Sequence, residues 1–184
     1  MNFIEQFYID LDLCDDMIVY MEKYGKKIAG ISGNSVVDQF TKKSVDCILN
    51  DVTLVDKYKQ ELHKCIKTYY EIYRYSEATV SIDPFINIQR YEPGDAYYRW
   101  HCERISANPA FSKRHLVFMT YLNDVTDQGE TEFFYQNMKF QPKKGLTLIW
   151  PVDWTHTHRG IPSSTQTKYI VTGWINFAES TDSI

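Results

Sequence analysis

Long apolar runs are missing from this 184-residue chain, so nothing in it reads as a membrane-spanning helix. The opening MNFIEQFYID carries acids and no basic flank before an apolar run, which is not the pattern of a signal peptide. The four cysteines, Cys14, Cys47, Cys65 and Cys102, are scattered without a CxxC pair. That argues against a zinc cluster or a disulfide framework and for reduced thiols in a cytoplasmic chain with no membrane partner. An excess of positive charge is also absent: 20 Lys+Arg stand against 24 Asp+Glu, a formal net charge of −4. A general pull toward nucleic acid is therefore not expected. With 8 Gly and 6 Pro there is no Gly- or Pro-rich linker, no repeat and no low-complexity tract. The expectation is one domain over 1–184, with no sequence signature of its oligomeric state.

What is present is aromatic. Fourteen Tyr, 10 Phe and 4 Trp suit a β-rich fold, because rings pack well on pleated surfaces. Residues 1–76 read as mostly helical support. Helical spacing predicts a short helix over Leu13–Tyr24 and a longer one over Thr53–Tyr75, where Val55, Tyr58, Leu62, Cys65, Ile66, Tyr69, Ile72 and Tyr73 recur at helical intervals. His63 lies in the second helix and reads as structural. From Ser81 the period changes to two. Strands are predicted at 85–91, 98–104, 115–122, 131–135, 146–150 and 168–177, separated by turns such as Glu92-Pro93-Gly94-Asp95 and Pro142-Lys143-Lys144-Gly145. Helices first and short strands after predict a mainly β fold with supporting helices, the strands of 81–178 forming a sandwich or barrel.

His101 and Glu103 stand two apart in a predicted strand and so share a face. With a histidine from another strand, His156 or His158, they would form a two-histidine, one-carboxylate facial triad with open positions for Fe(II) chemistry. Alone this is weak, since five histidines and 24 acids make one H-x-[DE] spacing unremarkable. His115, in an apolar strand, reads as a core residue.

The surroundings carry more. From Tyr91 to Phe177 the chain has Y-x-P-G-x-x-Y before His101, Arg114 opening a strand that ends Tyr121-Leu122-Asn123, and the G-x-T-x-F element Gly129–Phe133. The turn Pro142–Gly145 follows, then His158 with Pro162 four residues on, then the K-Y-x-x-T-x-W strand from Lys168 to Trp174. This order resembles the 2-oxoglutarate/Fe(II) dioxygenases of the prolyl 4-hydroxylase type.

The resemblance implies a double-stranded β-helix (jelly-roll, cupin-like) core. It also implies hydroxylation of an unactivated C–H bond, with 2-oxoglutarate decarboxylated to succinate and CO2. Its cofactors would be Fe(II), 2-oxoglutarate and O2, with ascorbate as reductant. The proline and lysine spacings favour His158 over His156 as the distal ligand beside His101 and Glu103. Lys168 and Thr172, which share parity in the last strand, would hold the cosubstrate's distal carboxylate. Tyr121 would add a hydrogen bond, and Tyr91 would line the same pocket. Arg114 and Thr131 read as structural. Glu103 departs from the usual aspartate by one methylene.

The implied substrate is a prolyl or other residue of a peptide or protein. Alternatives are a small molecule or free amino acid, or no substrate at all in a non-catalytic metal-binding module. Residues Ile105–Lys113 form a candidate lid, with Arg99, Trp100 and Trp174 placed to touch substrate.

Overall fold

Alternation in the second half of the chain decides the architecture. In β6 (Arg114–Tyr121), Leu116 and Phe118 are buried in one apolar cluster, while Val117, Met119 and Tyr121 are buried in another. Neighbouring β9 (Leu146–Pro151) divides likewise, Ile149 to the first cluster and Leu146, Leu148 and Trp150 to the second. Strands buried on both faces must lie between two layers.

The computed structural model describes residues 1–32 and 36–179. The remaining strands are β1 (Glu5–Tyr8), β2 (Lys27–Ala29), β3 (Val45–Ile48), β4 (Val80–Ile82), β5 (Asn87–Tyr91), β7 (Thr131–Phe133), β8 (Met138–Phe140), β10 (His158–Gly160) and β11 (Lys168–Phe177). The helices are α1 (Leu11–Lys23), α2 (Val52–Ile72) and the single turn α3 (Pro109–Ser112). An eight-stranded sheet runs β1-β9-β6-β11-β5-β3-β2, with β4 also on β11, and a three-stranded sheet runs β10-β7-β8. Every pairing is antiparallel.

Phe133 and Phe140 of the small sheet are buried with Val117, Met119 and Trp150 of the large one, so the second cluster lies between the sheets. On the other face of the large sheet lie α1, through Leu13, Met17 and Met21, and α2, through Tyr58, Leu62, Ile66 and Tyr69. Asp51 caps α2 by accepting from the Leu54 amide at 2.9 Å, worth about 1 kcal/mol. Tyr58 also reaches the sheet through a buried polar chain, its hydroxyl 2.8 Å from Thr120 Oγ1, itself 2.7 Å from Thr147 Oγ1. This is a mainly β, jelly-roll core backed by helices.

In residues 1–76 the long elements are α1 and α2, while β1 extends the large sheet at one edge and β2 and β3 extend it at the other. Two expectations need correction. The stretch 131–135 keeps strand pairing only to Phe133, after which Phe134 and Tyr135 enter a turn. Residues 98–104 form no strand. Four of their amides find acceptors, on three separate segments: Tyr98 donates to Thr41 O, His101 to His158 O, and Glu103 and Arg104 to Val152 O. The turns at Gly94 and Gly145 stand, with φ of 86° and 81°, backbone that glycine adopts without a Cβ penalty.

Candidate active site

Between the sheets lies a cavity of about 420 Å³, with His101, Glu103, His158, Lys168, Thr172 and Trp174 on its walls. Strand β11 presents Lys168, Thr172 and Trp174 by simple alternation. Facing them, His101 and His158 are joined by an isolated antiparallel bridge whose two backbone hydrogen bonds measure 3.0 and 2.9 Å. That bridge brings the imidazole centroids to 4.3 Å.

The donor set fits a metal ion. One ligand atom from each of His101, Glu103 and His158 lies within 4.8 Å of the others. Both imidazoles place Nδ1 at 2.9 Å from a carbonyl, that of Arg99 for His101 and that of His156 for His158. Each Nδ1 therefore carries the proton, and the Nε2 lone pairs turn inward. Each Nε2 faces Glu103 Oε1 at 3.6 Å, too long for a hydrogen bond. The other oxygen, Oε2, accepts from Trp174 Nε1 at 2.9 Å and lies 3.5 Å from Arg114 Nη1.

Burial lowers both histidines, His158 down to about 4 with the help of neighbouring His101, so both rings are neutral and able to ligate. Burial alone would raise the Glu103 carboxyl. The net direction is downward, because His101, His158 and Arg114 favour the anion and Trp174 donates to it.

Lys168 is 4% exposed. Its ammonium donates to the carbonyls of Gly129 at 2.7 Å and Ile161 at 3.4 Å, and stands 5.2 Å from the Tyr91 ring centroid. No carboxylate lies within 4 Å of it among the described residues. Burial pushes it down to about 8, against a partial pull upward from Glu130. A buried cation resting on carbonyls alone is suited to a carboxylate ligand.

The other expected residues divide. Tyr91 lines the cavity and donates to Gln89 Oε1 at 2.6 Å, and Thr172 lines it while bonding Phe118 O at 3.0 Å. Tyr121 does not line it. Its hydroxyl lies 2.6 Å from Thr131 Oγ1 and 3.0 Å from Phe140 O, and it accepts from the Thr131 amide at 3.1 Å. His156 is turned away, with Nε2 2.9 Å from Asn2 O. Arg99 and Trp100 are exposed outside the cavity, whereas Ile105, Ala110 and Phe111 of the candidate lid reach its wall.

Sequence reasoning missed several lining residues. Tyr97, the second tyrosine of Y-x-P-G-x-x-Y, stacks on His101 at 3.7 Å and 9°. Arg114, read as structural, donates to the Glu103 carbonyl at 2.8 Å and lies 3.5 Å over the Trp174 ring. The buried pair Lys42–Asp46, 2.6 Å apart, forms part of another wall; nothing in the run TKKSVD distinguishes it from a solvated loop.

The 2OG-Fe(II) oxygenase superfamily profile matches residues 86–176. A probable prolyl 4-hydroxylase 9 of Arabidopsis thaliana is 29% identical over 113 residues, covering 48% of this chain and 39% of that protein. The chain thus spans well under half the length of that relative. Three solved structures share the fold. A viral collagen prolyl hydroxylase from Paramecium Bursaria Chlorella virus-1, in its 2OG complex, gives a TM-score of 0.74 at 19% identity, covering 96% of this chain and 97% of that one. A Pseudomonas putida prolyl-4-hydroxylase gives 0.73 at 15%, covering 95% and 92%. A Trichoplax adhaerens prolyl hydroxylase, in complex with a hypoxia inducible factor oxygen degradation domain peptide fragment, gives 0.76 at 15%, covering 96% and 84%.

Proposed function

Since residues 86–176 place this chain in the 2OG-Fe(II) oxygenase superfamily, we propose that it is an Fe(II)- and 2-oxoglutarate-dependent hydroxylase acting on a residue, prolyl first, of a polypeptide. The observation that carries the reading is Lys168: a buried ammonium with no carboxylate within 4 Å among the described residues, in the same cavity as a neutral-histidine and carboxylate cluster. A metal-binding module alone would have no use for it. The peptide substrate draws support from the Trichoplax neighbour, which was captured with a peptide fragment.

In this reading His101, Glu103 and His158 hold the metal, with Trp174 and Arg114 fixing the Glu103 carboxylate. Lys168 holds the distal carboxylate of 2-oxoglutarate, with Tyr91 and Thr172 shaping the wall beside it. Bound Fe(II) would supply the activation of dioxygen, with ascorbate as its accessory reductant. One oxygen atom of O2 ends in succinate and the other in the substrate hydroxyl, with CO2 released. The chain itself positions the target C–H bond and keeps water out, tasks for which Phe111 and Trp174 provide apolar surface.

The test is turnover of 2-oxoglutarate to succinate with Fe(II) and O2, alone and with a peptide library read for a gain of one oxygen atom in mass. Succinate formation stimulated by proline-containing peptides is expected. Stimulation only by free amino acids would move the substrate to a small molecule, and metal binding without any 2-oxoglutarate binding would leave a non-catalytic module.

A further inference from the structure

Outside the cavity, Trp100, Phe134, Tyr135 and Trp154 lie side by side on the surface, the last three 56%, 59% and 64% exposed. They form a continuous file. Trp100 meets Phe134 at 5.1 Å and 82°, Phe134 meets Tyr135 at 5.2 Å and 80°, and Tyr135 meets Trp154 at 5.7 Å and 83°. Each ring stands edge-on to the next, so the file presents apolar notches rather than a flat plate.

Its base is fixed. The Phe134 amide donates to Thr157 O at 2.9 Å, and Gln136 Nε2 donates to Thr155 O at 2.9 Å. These bonds clamp the β7–β8 turn to the segment that leads into His158. One end of the file reaches the cavity mouth, where Arg159, a lining residue, lies 4.4 Å over the Trp100 ring. The indole N–H groups of Trp100 and Trp154 and the Tyr135 hydroxyl have no hydrogen-bond partner among the described residues.

Perpendicular rings, free donors along the same file and continuity with the mouth of the cavity together suit one kind of occupant. A polyproline II segment has compact rings to fill the notches and carbonyls with no internal partner to accept from the donors. We infer that this aromatic file is a docking surface for a polyproline II segment of the polypeptide substrate, seated outside the cavity while another residue of the same chain enters it. At about 3.1 Å per residue, the file would span roughly five residues. This rests on the proposed polypeptide substrate, yet its test needs neither iron nor 2-oxoglutarate.

The full chain is titrated with a ten-residue oligoproline peptide, and with a Gly/Ser peptide of equal length, by intrinsic fluorescence and by NMR of the indole N–H signals. Saturable binding of oligoproline alone is expected, with the Trp154 indole signal shifting. Trp154→Ala and Tyr135→Ala should each weaken it about tenfold or more, as loss of an aromatic anchor does. Both side chains are exposed, so folding is not at stake, and Trp154→Phe, which keeps a ring and loses the donor, should fall between. Succinate formation without peptide should be unchanged in all three variants.

Absence of oligoproline binding, equal binding of the Gly/Ser peptide, or unaltered affinity in the alanine variants would each overturn the inference. So would sedimentation showing that the file joins two copies of the chain and that Trp154→Ala separates them. If oligoproline binds but 2-oxoglutarate is not turned over, the hydroxylase reading fails and the docking surface stands.

Discussion

Trp174 donates its indole N–H to Glu103 Oε2 at 2.9 Å, which leaves Oε1 turned toward two imidazoles. A glutamate has one more rotatable bond than an aspartate, and this contact removes the freedom that bond would add. Trp174→Phe keeps an aromatic ring beside Arg114 and deletes only the donor. Metal affinity should fall by about 10–100-fold, the usual cost of losing a group that orients a ligand. Cobalt(II) titration by visible absorption checks this, with unchanged circular dichroism as the control.

Glu103→Ala should abolish tight metal binding and 2-oxoglutarate turnover. Glu103→Asp restores the residue usual in the resembled family but moves the carboxylate back by about 1.5 Å and away from the Trp174 donor. Ligand distances tolerate only about 0.2 Å, so partial activity is expected. Wild-type metal affinity in the alanine variant would remove Glu103 from the ligand set.

The two histidines of W-T-H-T-H should separate cleanly. His158→Ala removes a ligand and should eliminate metal binding. His156→Ala removes a bond to Asn2 O, costing about 1–2 kcal/mol of stability while leaving metal affinity near wild type. Calorimetric metal titration and thermal melts of both variants decide it.

Lys168 provides a pH test. Its ammonium must be protonated to pair with a carboxylate, and burial brings it down to about 8. Affinity for 2-oxoglutarate should therefore be full below that value and fall as pH rises through it, with proton uptake on binding near pH 8. Lys168→Met should bind 2-oxoglutarate weakly at every pH. Without ligand this variant should be more stable at neutral pH by about 1–3 kcal/mol, since a poorly compensated buried charge is gone. For the wild type the sign is the same: between about pH 8 and the ordinary lysine value the unfolded chain holds more protons, so stability rises with pH there.

Tyr121→Phe should lower stability by about 1–3 kcal/mol, because the Thr131 amide and hydroxyl lose their shared partner. Its 2-oxoglutarate dissociation constant should stay unchanged. A weakened constant would return Tyr121 to the role that family resemblance gives it.

Strand β11 was readable in full, because its ten residues are rich in β-branched and aromatic types and alternate, apart from the adjacent buried pair Ile170 and Val171, between buried and more exposed positions. Strands β1 to β3 were not, being three or four residues long with β2 exposed throughout; pairing partners distant in sequence make them strands. The strand expected over 98–104 had the right composition but no neighbouring strand long enough to form a ladder. At the site, spacing to Pro162 and Lys168 favoured His158 where parity could not choose, and the fold clusters His158, not His156, with His101 and Glu103. Arg114 and Lys42 were opaque because their roles lie in contacts to Glu103, Trp174 and Asp46, which only the folded chain creates.

The two sides of the cavity differ in how they can come apart. Strand β11 is paired along both edges, by β6 on one and by β5 and β4 on the other. Its amides should exchange with solvent deuterium only when the whole sheet unfolds. Residues 98–104 hang from a few single bonds to Thr41, His158 and Val152, so they should exchange through brief local openings of far lower free energy. The side bearing His101 and Glu103 would then breathe while the side bearing Lys168 stays shut, and slower exchange at the His101 amide would report the moment a ligand closes the gap.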